Sequence, residues 1–169
     1  MRALVKRIAA AVPGLLVALA VLVAIVPAVA NAAPPQAAPA DEAAVQKVVD
    51  GFIEALNGAD VNAFIGFFAP DATLFFPLAS LPLRLEDRQQ IGTAFGAFFE
   101  VVRKREPGPP YMNMIPVGTK IQLLGNVAVV TFHFKGEDVV SRRTLVLQKR
   151  SGQWLIVHLH ASNLQFQKE

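Results

Sequence analysis

Apolar side chains recur along this chain with a helical period, twice and with the same spacing. Val45, Val48, Val49, Phe52, Ile53 and Leu56 fall at offsets of 0, 3, 4, 7, 8 and 11, and Ile91, Ala94, Phe95, Phe98, Phe99 and Val102 repeat that series. Each set marks the buried stripe of an amphipathic helix. The first helix is expected to open near Asp41 and to end at Asn57-Gly58. The other opens at Asp87 with Gln90 in capping-box position. Gly92 and Gly96 each cost about 1 kcal/mol of helix propensity, so a close contact is expected on that side. Arg103, Lys104 and Arg105 in its last turn read as a solvated end opposing the helix dipole. Between these helices Asp60 can cap a shorter one carrying Val61, Phe64, Ile65 and Phe68, which Ala69-Pro70 stops. Thr73 to Phe76 reads as a short strand.

Beyond Pro107-Gly108-Pro109-Pro110 the pattern changes to strands. The spans Tyr111–Leu124, Val127–Lys135, Val139–Lys149 and Trp154–Leu164 are expected. Turns at Gly125-Asn126, Gly136-Glu137-Asp138 and Ser151-Gly152 make them antiparallel neighbours. Three helices packed on a curved antiparallel sheet define an α+β domain. At the last turn, a loop of Arg150, Ser151 and Gly152 spares Ser151 a positive φ and pairs Lys149 with Gln153. Counting back, Arg143 comes opposite Leu159, while Arg142 points to the other face.

Composition adds a compartment. Arg2, Lys6 and Arg7 precede the uninterrupted apolar run Leu15 to Val26, and Ala30-Asn31-Ala32 follows with small residues. Residues 1–32 therefore read as a signal peptide cleaved after Ala32, with an uncleaved membrane anchor as the alternative. The product is expected in the periplasm or outside the cell, touching membrane only through that segment. Residues 33–40, with Pro34, Pro35 and Pro39, read as an extended linker, and the domain is expected over 41–169. The chain has no cysteine, so disulfides and thiolate metal sites are excluded. Of 16 basic residues three lie in the leader, which leaves 13 to balance 13 acids. That balance speaks against a nucleic-acid partner. No Gly-rich phosphate loop, Gly-x-Ser-x-Gly elbow or His-Glu-x-x-His pattern occurs.

The order helix, helix, strand, helix and four strands, closed by Gly152-x-Trp154-x-Ile156-Val157-His158-x-His160-x-Ser162, resembles the nuclear transport factor 2-like superfamily, and within it the SnoaL-like group. The last strand is also similar to the association domain of calcium/calmodulin-dependent kinases, and the helical half to bacterial ketosteroid isomerases. The likeness covers about residues 41–164 and implies a cone-shaped roll. Such a scaffold hosts many activities, so it specifies fold more than chemistry. Phe52-Ile53-Glu54, Asp60 behind Gly58 or Ala59, and Asp71-Ala72-Thr73 followed by Pro77 match the isomerases without a gap. The resemblance then puts their oxyanion tyrosine on Phe52, their proton-shuttling aspartate on Phe76 and their third acid near Thr144. A phenyl ring exchanges no proton, so isomerisation by that mechanism is not expected.

His158 and His160 lie two apart and share a strand face. As metal ligands they would need a third group, from His133, Glu137 or Asp138. The resemblance places Leu155, Val157, Leu159 and Ala161 toward the cavity, a ligand-contacting arginine of the association domain standing at the position of Ala161. It places Trp154, Ile156, His158, His160 and Ser162 on the back, where relatives dimerise. The histidines are accordingly expected to be structural or interfacial, in a homodimer joined through the outer sheet face, and no metal is expected.

The cavity is expected to be lined by Phe52, Phe76, Phe95, Phe99, Phe132, Val157 and Leu159, with Arg143 and Tyr111 or Thr144 as polar points. An arginine on an apolar wall is costly alone, so Arg143 meets either an anionic ligand or an acid such as Asp71 or Glu54. Large side chains can equally fill a cone as plain core. The expectation is an exported SnoaL-like domain, without cofactor or isomerase-type catalysis, that binds a small apolar or aromatic ligand bearing an acidic or carbonyl oxygen, or that serves a structural role. Two alternatives stand beside it. One is a divergent cyclase, isomerase or hydratase using Arg143 with His158 or His160; the other is a homo-oligomerising association module.

Overall fold

The computed structural model describes residues 39–166. The expected signal segment 1–32 and residues 33–38 of the expected linker lie outside the described residues. Helix α1 (Pro39–Asn57) buries Val45, Val49, Phe52, Ile53 and Leu56 along the stripe seen in the sequence. It takes in Pro39 and Ala40, because a proline's missing N–H costs nothing in a first helical turn. Past Asn57 the left-handed residue is Ala59, at φ 48°, rather than Gly58. Helix α2 (Val61–Gly66) is capped by Asp60, whose carboxylate accepts from the Ala63 N–H. Helix α3 (Arg88–Arg105) is capped by Asp87, which accepts from the Gln90 N–H at 2.7 Å. The Gln90 side chain accepts from the N–H of Glu86, one residue before the cap, and its Nε2 donates to the Asp87 carboxylate at 3.5 Å. The close contact at Gly92 comes from a side chain: a Cβ there would stand 3.2 Å from Ile65 of α2.

Five strands form one sheet in the order β1-β5-β4-β3-β2. Strand β1 (Phe68–Phe75) runs parallel to β5 (Gln153–Gln165), whereas β2 (Val117–Leu124), β3 (Val127–Lys135) and β4 (Val139–Arg150) continue antiparallel. Two expectations are corrected here. Phe68 belongs to β1 rather than to the second helix, and Pro70 lies within the strand instead of stopping an element before it. An edge strand tolerates proline because one side of its backbone needs no partner, and β1 is irregularly paired between Phe68 and Thr73. Leu74 and Leu85 exchange both backbone hydrogen bonds, covering part of that free edge.

A further correction concerns Tyr111 to Pro116, which were expected in the strand ending at Leu124 and instead precede β2. The N–H groups of Tyr111 and Met112 both donate to the carbonyl of Asn57, at 2.9 and 3.1 Å. The Asn57 side chain then accepts from the Met114 N–H at 2.8 Å and donates to the Met114 carbonyl at 3.2 Å. One asparagine at the end of α1 thus replaces the neighbouring strand that this segment lacks.

Register in β5 decides which side chains enter the core. The turn is a two-residue loop, Arg150 pairing with Gln153, with positive φ at both Ser151 (49°) and Gly152 (83°). This is the twist that suits a tight hairpin, and it overrides the steric reluctance of serine. Val146 pairs with His158 and Leu147 with Ile156, so Val157 is an extra, bulged residue. The bulge reverses parity along β5. Trp154 and Ile156 are buried together with Leu159 and Ala161, not placed on the back as expected. Trp154 reaches α1, its indole N–H donating to Asp41. The core beneath is dominated by rings: Phe64 is fully buried, stacked on Phe95 at 4.4 Å between centroids and in contact with Phe52, Phe68 and Phe99.

Candidate functional site

A cavity of about 70 Å³ lies between the three helices and the inner face of β4 and β5. Phe52 and Leu56 of α1, Phe64 of α2, Phe95 and Phe98 of α3 and Phe76, just past β1, form its aromatic wall. Leu159 and Arg143 close it from the sheet, and Met112 and Met114 from the segment that Asn57 holds. Arg143 is the one ionisable group in this wall. The positions that the isomerase resemblance marks, Phe52 and Phe76, both open onto the hollow, and both present phenyl rings.

The structure brings part of the expected set together around this hollow. Phe52, Phe76, Phe95, Arg143 and Leu159 are in the wall; Phe99, Tyr111, Phe132 and Val157 are not. Phe99 is fully buried behind Phe95 and Phe98. Tyr111 is half-buried in the irregular segment, and Phe132 is buried against Phe134. Val157 is displaced by the bulge. Thr144 pairs with His160 and Thr131 on the outer face, one residue out of phase with Arg143. Leu56 and Phe98 lie on the two helical stripes and Phe64 on the short helix between them, whereas Met112 and Met114 carry no periodic signal.

Arg143 is half-buried. Its Nη1 donates to the carbonyl of Arg142 at 2.9 Å, and its guanidinium carbon lies 5.4 Å from the ring centre of Phe134 and 5.9 Å from that of Phe76. Among the described residues no carboxylate is within ion-pair distance of it. Asp71 is taken by Arg150, and Glu54 is exposed. Loss of surrounding water pulls the Arg143 pKa down to about 10, so the group remains a cation at neutral pH. The arrangement offers a cation with aromatic faces beside it and an apolar hollow in front.

His158 and His160 project from the opposite, outer face, with Arg142, Thr144 and Ser162. Nδ1 of His158 is 2.8 Å from the Thr73 hydroxyl, and Phe75 packs edge-on against its ring. Burial, then the positive neighbours His160 and Arg84, lower the His158 pKa. Neither ring reaches the cavity, so the cavity has no imidazole for acid or base work. Among the described residues no three metal-ligating side chains come together, and no helix is long and apolar enough to cross a membrane.

The family model of the SnoaL-like domain matches residues 45–166. The chain belongs to the SnoaL-like domain family. Similar solved structures include a nuclear transport factor 2-like protein of unknown function from Pseudomonas putida, with 18% identity and a TM-score of 0.64 over 75% of this chain and 89% of that one. A candidate ketosteroid isomerase from Parabacteroides distasonis shares 24% identity at a TM-score of 0.54, over 69% of this chain and 85% of its own. A candidate calcium/calmodulin-dependent kinase II association domain from Xanthomonas campestris shares 25% identity at 0.57, over 79% and 93%. No curated protein matches the chain. The SnoaL-like domain of this chain thus has the α+β architecture of that superfamily, and its cavity chemistry has to be read from its own residues.

Proposed function

We propose that this SnoaL-like protein is exported and binds a small apolar acid in its cavity, holding the acid's carboxylate on Arg143, without isomerase-type catalysis. One observation carries the reading: a half-buried guanidinium without a carboxylate partner among the described residues stands in an otherwise apolar wall. A cation so placed is costly until it meets an anion. A carboxylate fits the guanidinium fork through paired hydrogen bonds, and phenyl walls suit the apolar remainder of such a molecule. The phenyl rings of Phe52 and Phe76, together with the outward histidines, support binding over proton transfer.

The cavity as it stands is small. Its 70 Å³ would hold about two waters at ~30 Å³ each, so a ligand enters by displacing Met112 and Met114. Their unbranched side chains repack readily, and both belong to the segment hung from Asn57. Thermal unfolding with benzoate and phenylacetate, against benzamide and benzyl alcohol, tests the reading. The acids should raise the melting temperature of the protein and not that of Arg143→Met, while the neutral analogues do little. Equal shifts from neutral analogues, or acid shifts that survive Arg143→Met, would sink it.

The leader pattern of Arg2, Lys6 and Arg7 ahead of Leu15 to Val26 supports export with cleavage after Ala32. N-terminal sequencing of the secreted protein should begin at Ala33; a retained leader would contradict this. The outer sheet face is the proposed contact with a second copy, since Val129 and Val146 are only half-buried there. Light scattering should then give twice the mass of the cleaved chain.

A further inference from the structure

The outer face collects what the cavity leaves unused. The five strands contain one acid, Asp71, and Arg150 takes it. Every other ionisable side chain on the outer face is basic: Lys120 of β2, His133 and Lys135 of β3, Arg142 of β4, and His158 and His160 of β5. The ladder sets Phe75, His160, Thr144, Thr131 and Lys120 in one row across all five strands. In the next row Ser162, Arg142 and His133 stand side by side. Arg142, Thr144, His158, His160 and Ser162 together wall an open hollow of about 520 Å³.

We propose that this hollow is an oxyanion site, taking a phosphate group between the Arg142 guanidinium, the imidazoles of His158 and His160 and the hydroxyls of Thr144 and Ser162. The donor set fits that chemistry. Guanidinium forks to two oxygens, ring N–H groups and hydroxyls can meet the rest, and the one carboxylate of the strands, Asp71, is taken by Arg150. The Thr73 hydroxyl engages Nδ1 of His158, which leaves Nε2 to face a ligand. Phe75 lies against both imidazole rings, at 5.5 and 5.7 Å between centroids, and fixes their orientation. From the segment ahead of α3, Arg84, itself held by Glu86, adds positive potential at His158. Arg142 and the nearby Arg84 make protonation of His158 a like-charge cost, which a bound anion relieves. A second copy stacked on this face would bring its own basic groups against these, so an oxyanion is also what would let the two faces approach.

The test is a titration of inorganic phosphate into the protein at pH 6 in chloride at constant ionic strength, followed by the ring Cε1–H signals of the histidines. His158 and His160 should shift saturably together, and the His158 pKa should rise in phosphate. Arg142→Gln, and separately His158→Gln with His160→Gln, should weaken binding roughly tenfold or more, as the loss of a charge-assisted hydrogen bond implies. Melting of these variants at pH 7.5 without phosphate, close to that of the wild type, guards against misfolding. Vesicles containing phosphatidic acid identify the source of the group. Retention that free phosphate competes off marks a lipid headgroup; ring shifts without retention mark a soluble phosphate. Shifts that do not saturate, or an Arg142→Gln variant that binds as wild type does, would overturn the site.

Discussion

Arg143 and Ala161 stand directly opposite each other on the inner side of the β4–β5 ladder. The resemblance to the kinase association domain puts an arginine at the position of Ala161; here the neighbouring strand supplies the cation, and the small partner leaves it room. Because this guanidinium meets phenyl rings and no carboxylate among the described residues, it is not held for stability. Arg143→Met should leave the unfolding free energy unchanged or slightly higher. A loss of about 2 kcal/mol or more in urea unfolding would show that the side chain has a structural partner.

Phe64 is the keystone of the ring cluster, touching Phe52, Phe68, Phe95 and Phe99 from full burial. Phe64→Ala should cost about 3–5 kcal/mol, since the surrounding rings cannot collapse into the space. Phe98→Ala, at the cavity's half-exposed rim, should cost clearly less. Equal losses in urea unfolding would contradict this account of the core.

Asn57 fastens the methionine segment with its side chain and its carbonyl. Asn57→Ala removes the two side-chain bonds and should cost about 1–3 kcal/mol. The Met114 amide should then exchange with solvent much faster, while the amides of β3 and β4 keep most of their protection. Uniform acceleration across the sheet would mean that Asn57 serves the whole fold.

The lowered His158 pKa gives the stability a pH dependence of definite sign. The folded chain resists protonating this ring more than the unfolded chain does, so its stabilising contribution is complete above the ordinary histidine value near 6.5. It declines as the pH falls through that value toward the lower folded pKa. Melting in chloride should therefore drop between roughly pH 7.5 and 5, and His158→Gln should flatten part of the drop. Phosphate should flatten it too if the outer hollow binds it. A wild-type profile independent of pH over this window would contradict the environment described for His158.

The helices and the inward arginine were legible in the sequence because stripes and caps are local signals. Asp60 and Asp87 cap as their spacing implies, and the apolar series of α1 and α3 face the core, with Val45, Val49, Phe52, Ile53, Leu56, Ile91, Phe95 and Phe99 buried and the rest half-buried. Register was less legible. Ser151 adopts a positive φ that its side chain disfavours, and no glycine or proline announces the bulge at Val157. Each shifts the β4–β5 pairing by one residue, and together they restore parity beyond the bulge. Arg143 therefore faces the cavity as expected, but opposite Ala161 instead of Leu159, while Trp154 and Ile156 before the bulge turn inward. Met112 and Met114 were hidden in a span read as strand. Pro116 inside that span was the available warning, since a proline removes a ladder donor.

The central claim is an apolar cavity that closes on a carboxylate through Arg143 and opens at two methionines. Its most direct measurement is a titration of the protein, labelled at the methionine methyls and arginine Nε, with phenylacetate. The methyl signals of Met112 and Met114 and the Nε–H of Arg143 should move together and saturate at one concentration, and the methyl shifts should vanish in Arg143→Met. Methyl signals that stay in place while phenylacetate binds elsewhere, or that move equally in Arg143→Met, would contradict the account.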